Sequence, residues 1–462
     1  CSCKRRISRY CSNNRFAAKM IKGPVFRALL FIPIFVSRET NGFSIENMDM
    51  QFSKFGEKFT RLAGISQLMD DLNQGLKNPD AIMLGGGNPA AIPEMVELFK
   101  QETAQQLENG TLLKAMLNYD GPQGHDGFRQ ALAELFCKEY GWAITPEHIA
   151  LTNGSQSAFF YLFNLLAGEY ATGQQKKVLF PLAPEYIGYA DGGLSDDQFV
   201  ACKPHIDYLD DGLFKYRVDF DALEVGDDIG LICVSRPTNP TGNVLTDDEI
   251  ARLDEIARAK GIPLLIDNAY GTPFPHIIFS EVTPFWNDNT ILCMSLSKLG
   301  LPGLRCGIVI ADPKIIQAMG NISGIINLAP SGVGPAMMQH WLASGDILRY
   351  SADIIAPYYQ RKAQQAVEWL QQAIPAPKLR IHKPEGALFL WLWFDGLPIS
   401  CQQLYEKLKQ RGLIIVPGHY FFPGLPDKKW QHQYECIRLN YAQPEEKVKQ
   451  GIAILQQVIN EL

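Results

Sequence analysis

From about residue 95 to 340 the chain alternates short apolar runs with stretches whose apolar positions recur at helical spacing. HIALTNG, KVLFPLA, IGLICVS, IPLLIDN, TILCMSL and CGIVIAD each end at loop-forming or polar residues. This βα rhythm predicts an α/β fold, a mostly parallel sheet flanked by helices. In such sheets ligands sit beyond the carboxyl ends of the strands. Chemistry is therefore expected just after the runs, at Asn153-Gly154-Ser155, Pro184-Glu185-Tyr186, Asn239-Pro240-Thr241-Gly242, Asp267-Asn268-Ala269-Tyr270 and Ser295 to Lys298. After about residue 345 the pattern changes to a long polar-apolar helix, SADIIAPYYQRKAQQAVEWLQQA. Strand-like ALFLWLWF, a helix near QQLYEKLKQRG, then LIIVPG and ECIRLNYA follow, which is the pattern of an α+β tail domain. The cluster PGHYFFPGLP is a loop by composition.

One stretch, MSLSKLGLPGLRCGIVIA, sets two cations, Lys298 and Arg305, between the buried-strand runs ILCM and GIVI. A charged head close to a core loses its hydration unless an opposite charge, a hydrogen bond or a covalent bond replaces it. Something anionic or covalent is expected there.

The bulk numbers narrow the class. With 46% hydrophobic and 20% charged residues, most of the 462-residue chain cannot be disordered. Nine of the 43 basic and three of the 49 acidic residues lie in the first 49 positions, so the remainder carries a formal charge of −12. An acidic body argues against nucleic acid as the main partner. The ten cysteines are scattered, with no CxxC pair and no Cys/His spacing suited to zinc, and they read as free thiols of a reducing, cytoplasmic compartment. The histidines are likewise dispersed, and no metal site is expected.

Residues 1–49 are a different kind of sequence, arginine-rich and holding the apolar stretch ALLFIPIFV, which is too short for a membrane helix and is interrupted by Pro33. A secretory or transit signal is one reading. The other, favoured by the cytosolic character of the remainder, takes Met48 or Met50 as the natural start and the upstream residues as a leader without fixed structure. The expected organisation is then a leader over 1–49, an N-terminal segment of a smaller domain over 50–94, a large domain over 95–340, and the rest of the smaller domain over 341–462.

Taken singly, the strand-end residues say little. Lys298 alone is a surface lysine, Asp267 alone is as often a helix cap, and NPTG is an ordinary turn. Together and in this order, NPTG, then DNAY after LLI, then SLSK followed by GLRCG resemble the fold type I pyridoxal-phosphate aminotransferases over residues 51–462. The resemblance extends to whole phrases, LGGGNPAAIPEM, YDGPQGHDGFR and FPLAPEYIGYADGG. It implies a large domain plus a smaller α+β domain built from both chain ends, with pyridoxal 5'-phosphate as cofactor. Lys298 would bond to the cofactor aldehyde and then move a proton as general base and acid. Asp267 would keep the pyridine nitrogen protonated. Asn239 and Tyr270 would hydrogen-bond the 3′ oxygen, and an Asx-type turn at Asn239 is compatible with that role. Arg305, Ser295 and the helix opening at Gly154-Ser155-Gln156 would hold the phosphate, so that one cofactor satisfies both cations of that stretch. Tyr186 would stack on the ring, core packing being its alternative. Tyr119 would reach the phosphate from a neighbouring subunit, which makes the active unit a homodimer.

For substrate, the resemblance assigns Arg438 in ECIRLNYA to the α-carboxylate, against the alternative of a structural salt bridge, with Gly87 in LGGGNPA adding a backbone N–H and Asn239 close by. No second arginine sits in a motif suited to a distal acid, and NISGIINLAPSGVG is neutral. Small apolar amino acids such as alanine, valine and 2-aminobutyrate are therefore the expected donors, with pyruvate and 2-oxoisovalerate as acceptors; neither membrane nor nucleic acid is an expected partner. Two readings compete. One is another enzyme of the same fold, an aspartate or aromatic aminotransferase or a carbon–sulfur lyase. The other is the sensor domain of a transcription factor, which would need a winged-helix module before the sheet, and the first 49 residues lack such a helix pattern.

Overall fold

The computed structural model describes residues 51–60 and 81–462; the leader expected over 1–49 lies outside the described residues. The six apolar runs form strands β1 (Ile149–Thr152), β2 (Gln175–Phe180), β3 (Ile229–Ser235), β4 (Leu264–Asp267), β5 (Thr290–Ser295) and β6 (Gly307–Ile310). They lie in the order β1-β6-β5-β4-β3-β2, and the short strands Gly168–Glu169 and Phe199–Ala201 extend the sheet beyond β2. All of β1 and of β3 to β6 is buried, which is why these strands read as unbroken apolar runs instead of alternating ones. Strands β2 to β5 are parallel, and their register sets Ser235 beside Asp267 and Asp267 beside Cys293. Three carboxyl ends thus come level at one edge.

Strand β6 runs antiparallel to both neighbours, with Gly307 opposite Ser295 on one side and Thr152 on the other. The reason is the link: residues 296–306 hold only the 3₁₀ turn Pro302–Leu304, and without a crossover helix the chain returns antiparallel. Helix α1 (Ser155–Leu166) starts directly after β1 and packs under β6 and β5.

A second sheet has the order Val416–Pro417, Cys436–Asn440, Phe389–Trp393, Arg380–His382, Leu213–Arg217, His205–Tyr208. Its last two strands are a hairpin from the middle of the chain, inside the 95–340 stretch. Lys215 of that hairpin forms a buried ion pair with Glu385 and donates to Val244 O at 2.9 Å, which fastens the second sheet to the loop beyond Asn239. A third pairing sets Ile82–Met83 parallel to Leu413–Ile414 and joins an early segment of the chain to a late one. The long tail helix covers Ala356–Ala373 and is preceded by a π turn at Ser351–Ile355, because Pro357 has no N–H to continue an α-helical ladder through that point. No helix among the described residues is long and apolar enough to cross a membrane.

Candidate active site

The carboxyl ends of β3, β4 and β5 open on a cavity of about 210 Å³. Lys298, three residues past β5, reaches into it and donates from Nζ to Gly87 O at 2.6 Å. Burial, reinforced by Arg438 and Arg305, pulls the Lys298 ammonium down to about 8 from an ordinary 10.5, while Asp267 works the other way. The Tyr270 ring lies 5.4 Å from the same nitrogen. A lysine so placed is easily neutral, the form that can bond to a carbonyl carbon.

Asp267 ends β4 on the floor of the cavity. Burial raises its carboxyl to about 6, opposed by hydrogen bonds from Tyr189 and from the Ala269 N–H, and by Lys298. The Tyr189 hydroxyl donates to Oδ2 at 2.5 Å and the Ala269 N–H to Oδ1 at 3.0 Å. Tyr186 lines the cavity, its ring edge-on to Tyr189 at 5.2 Å. Gly188 leaves room for that ring, since a Cβ there would stand 2.7 Å from Tyr186 Cζ.

At the other end, α1 opens at Gly154, whose φ of 86° and ψ of 157° favour glycine. The Arg305 guanidinium lies across this helix start, and a Cβ on Gly154 would come within 2.7 Å of Arg305 Cζ. Arg305 itself takes a left-handed φ of 48° as it leaves the 3₁₀ turn, which swings its side chain toward α1. No carboxylate pairs with it among the described residues. Ser155 and Ser295 line the cavity beside it. The Gln156 side chain is engaged with Gly188 O at 2.8 Å, so its contribution to an anion would be its backbone N–H at the helix N-terminus. Free N–H groups, a forked cation and hydroxyls around a glycine cradle fit a phosphate.

Arg438 is only 2% exposed. It donates from Nη1 to Asn239 Oδ1 and from Nη2 to Gly85 O, both at 2.7 Å, while its Nε has no partner. Phe389 and Phe421 pack against it at 4.0 and 5.1 Å from their ring centroids. Burial lowers its pKa to about 10. No salt bridge forms at Arg438 among the described residues, so the alternative expected from sequence is set aside. A buried guanidinium without a counter-ion is unfavourable unless an anion binds. The LGGGNPA loop is held to its strand by Asn440, which donates from Nδ2 to Gly86 O at 2.5 Å.

Of the residues singled out in the sequence, Lys298, Asp267, Tyr270, Asn239, Ser295, Arg305, Ser155, Gln156, Tyr186, Arg438 and Gly87 all line this one cavity, and Gly154 supports it. Gly87 meets Lys298 through its carbonyl. Tyr119 does not join them; it is 83% exposed, past the end of the helix Thr111–Leu117. Sequence reasoning gave no role to Tyr189, Ser235, Glu185 or Asn440, none of which has a local signature beyond standing near a strand end.

The sheet and the groups gathered at its carboxyl edge fit the aminotransferases of fold type I. The pattern of the family Aminotransferase class I and II matches residues 82–455, and the chain belongs to that family. Within it, the chain is 58% identical over 410 residues to the valine–pyruvate aminotransferase of Escherichia coli K12, covering 89% of this chain and 98% of that one. The crystal structure of a valine–pyruvate aminotransferase from Salmonella typhimurium LT2 superposes with a TM-score of 0.80 at 55% identity, over 86% of this chain and 98% of that one. A putative amino-acid aminotransferase from Psychrobacter arcticum 273-4 gives a TM-score of 0.87 at 50% identity, over 89% and 99%.

Proposed function

We propose that this aminotransferase moves an amino group between L-valine and pyruvate, giving 3-methyl-2-oxobutanoate and L-alanine, reversibly and with pyridoxal 5'-phosphate. The observation that carries the reading is Arg438, a buried cation that lacks a carboxylate partner among the described residues and faces the same cavity as Lys298. It is the seat for an α-carboxylate. The three cations of the cavity are then all assigned: Arg438 to the substrate carboxylate, Arg305 to the phosphate and Lys298 to the aldehyde. Among the described residues none is left for a distal acid, and a small apolar side chain is the guest that costs no unpaired charge.

The residues fit the cofactor, since the glycine cradle at Gly154 would be filled by any Cβ. When bound, pyridoxal phosphate supplies a conjugated ring that accepts the electron pair left at the substrate Cα. Asp267 holds the proton on the ring nitrogen that makes it an effective acceptor. Arg438 and Asn239 fix the carboxylate and so orient the Cα–H bond toward Lys298. Lys298 takes the Cα proton as general base, and in the reverse direction returns it. Tyr270 and Asn239 hold the 3′ oxygen, and Tyr186 packs on the ring face.

The active unit we infer is a homodimer in which Tyr119 serves the neighbouring site. Exposed Leu113, Met116, Leu117 and Tyr119 precede the segment whose Pro122 packs on Gly324, in the helix Pro313–Asn327 that ends in exposed Ile325, Ile326 and Leu328. Such a patch fits a second copy. The described cysteines, Cys233 and Cys293 among them, are free thiols, which suits the cytoplasm. Two experiments test the reading. Borohydride reduction and peptide mapping should find the cofactor on Lys298. Mixing single amino acids with holoenzyme and following the absorbance of the lysine-bound cofactor should show faster conversion with valine or alanine than with aspartate or tyrosine; the opposite order refutes the substrate assignment.

A further inference from the structure

Glu185, fully buried behind the cavity, has no task in the reaction as described. Its Oε1 accepts from the Ser235 N–H at 3.0 Å, and its Oε2 stands 2.6 Å from Ser235 Oγ and 3.3 Å from the Tyr186 N–H. Ser235 Oγ lies 3.4 Å from the Tyr189 hydroxyl, which in turn donates to Asp267 Oδ2 at 2.5 Å. Four side chains therefore stand in file, from Glu185 to the acid under the ring nitrogen.

Each hydroxyl has one proton to give. Tyr189 gives its own to Asp267, so at the 3.4 Å contact with Ser235 it can only accept. The serine proton has two competing acceptors, Glu185 Oε2 at 2.6 Å and the Tyr189 hydroxyl at 3.4 Å. An ionised Glu185 would take it, and the file would break at Tyr189. Glu185 is fully buried without a cation beside it among the described residues, the setting in which a carboxyl stays neutral, and a neutral Glu185 donates to Ser235 and frees the serine proton for Tyr189. We propose that Glu185 is a positioning residue for the transamination, a neutral acid heading a one-way chain through Ser235 and Tyr189 that fixes the negative charge on Asp267. The part that concerns the ring nitrogen rests on the function proposed above; the protonation of Glu185 does not.

The surroundings agree. No cation pairs with Glu185 among the described residues. The titratable groups facing it are Asp267 from the end of β4, Tyr189 and Tyr186 from its own loop, and Cys233 from β3; an anion at Glu185 would be opposed by Asp267. Burial, with that opposition, pushes the carboxyl up to about 8 despite the bonds from Ser235 and Tyr186. If Glu185 ionised, Ser235 would turn to it, Tyr189 would lose a donor, and two carboxylates would share one dry pocket.

The test has two arms. In the first, infrared difference spectra of the cofactor-free chain compare wild type with Glu185→Gln, a near-isosteric change that keeps a donor toward Ser235. The expected result is a protonated-carboxyl carbonyl band near neutral pH, present only in wild type and lost as the pH passes about 8. Only carboxylate bands at neutral pH would overturn the proposal. In the second, holoenzyme carrying cofactor labelled with ¹⁵N in the ring is compared by NMR at neutral pH. Ser235→Ala, which retains the backbone bond to Glu185 but cuts the file, should move the ring-nitrogen signal toward its unprotonated position, and Glu185→Ala likewise, whereas Glu185→Gln should not move it. A role in bracing the loop alone predicts no shift in Ser235→Ala, and that result also overturns the proposal. A failure to load cofactor would count against the proposed function and leave the infrared arm readable.

Discussion

Gly154→Ala puts two separable strains on one methyl group. The backbone at Gly154, φ 86° and ψ 157°, belongs to a region that residues with a Cβ hardly enter, at a cost of about 1–3 kcal/mol. The new Cβ would also stand 2.7 Å from Arg305 Cζ, so the guanidinium must leave the helix start. A charge-assisted hydrogen bond is worth about 1.5–3 kcal/mol, so, with Arg305 at the phosphate as proposed, losing it should weaken cofactor binding roughly 10- to 150-fold. The first strain acts on folding, the second on the cofactor, and a double-mutant cycle parts them. Equilibrium titration of cofactor into the cofactor-free chain should place Gly154→Ala close to Arg305→Ala. The double variant should bind within about twofold of Arg305→Ala alone, because the methyl then has no guanidinium to displace. Urea denaturation of the cofactor-free chain should still show the backbone cost in Gly154→Ala with and without Arg305. Fully additive losses of affinity, or wild-type affinity in Gly154→Ala, would refute the placement of Arg305 at the phosphate.

Four further outcomes follow from the same geometry. Asp267→Ala should keep cofactor but lose turnover by well over tenfold, because its charge matters most as the electron pair forms at Cα; activity within about threefold of wild type contradicts this. Arg438→Lys, which keeps charge but not the fork, should lower kcat/KM by roughly 10- to 150-fold, equally for valine and alanine since both present the same carboxylate; a loss confined to one of them points to the side-chain pocket instead. In the cofactor-free chain Lys298 titrates near 8 against an ordinary 10.5, so between these values the folded chain holds fewer protons than the unfolded one. Stability relative to Lys298→Met should therefore rise with pH across that window, by at most about 3 kcal/mol and less where cavity solvent reaches the amine; a flat difference means the lysine is not depressed. Lys215→Met leaves the buried Glu385 carboxylate with only the half-exposed Lys383, 3.1 Å away, and should cost up to about 3–5 kcal/mol in denaturant, whereas replacing Lys215 and Glu385 together should cost much less.

The strand ends were legible because burial on both faces leaves an apolar run in the sequence and the run stops where the cavity begins. Lys298, Asp267 and Asn239 stand out in that way, with order along the chain supplying the rest, whereas Arg438 lies inside the strand Cys436–Asn440 and was legible only through the resemblance to the family. The direction of β6 was not legible, since an apolar run carries no sign and only the short link through Pro302–Leu304 decides it. Nor was the hairpin of Leu213–Arg217: whether a strand joins the first sheet or the second depends on its partner, Arg380–His382, far along the chain. The file behind Asp267 was hidden for a related reason. Glu185 and Ser235 are 50 positions apart and Tyr189 and Asp267 are 78 apart, and a serine closing an apolar run looks like any strand end until the register of β3 and β4 sets it beside the aspartate.

That register also bears on how the lysine works. Arg438 and Arg305 both hold the proton affinity of Lys298 down, and Asp267 holds it up. An anion docked on either arginine offsets that cation at short range, so its arrival raises the basicity of Lys298. With the Arg438 seat free, the lysine is more nearly neutral, the form needed to bond to an aldehyde. On the proposed assignment, a carboxylate on Arg438 leaves the released amine holding a proton more firmly, which is what removal of the Cα proton requires. Arg438 would thus also set when Lys298 acts as nucleophile and when as base. An amine lacking the α-carboxylate would forfeit more than its grip on Arg438: it would meet a weaker base, so its deficit should appear in kcat as well as in KM.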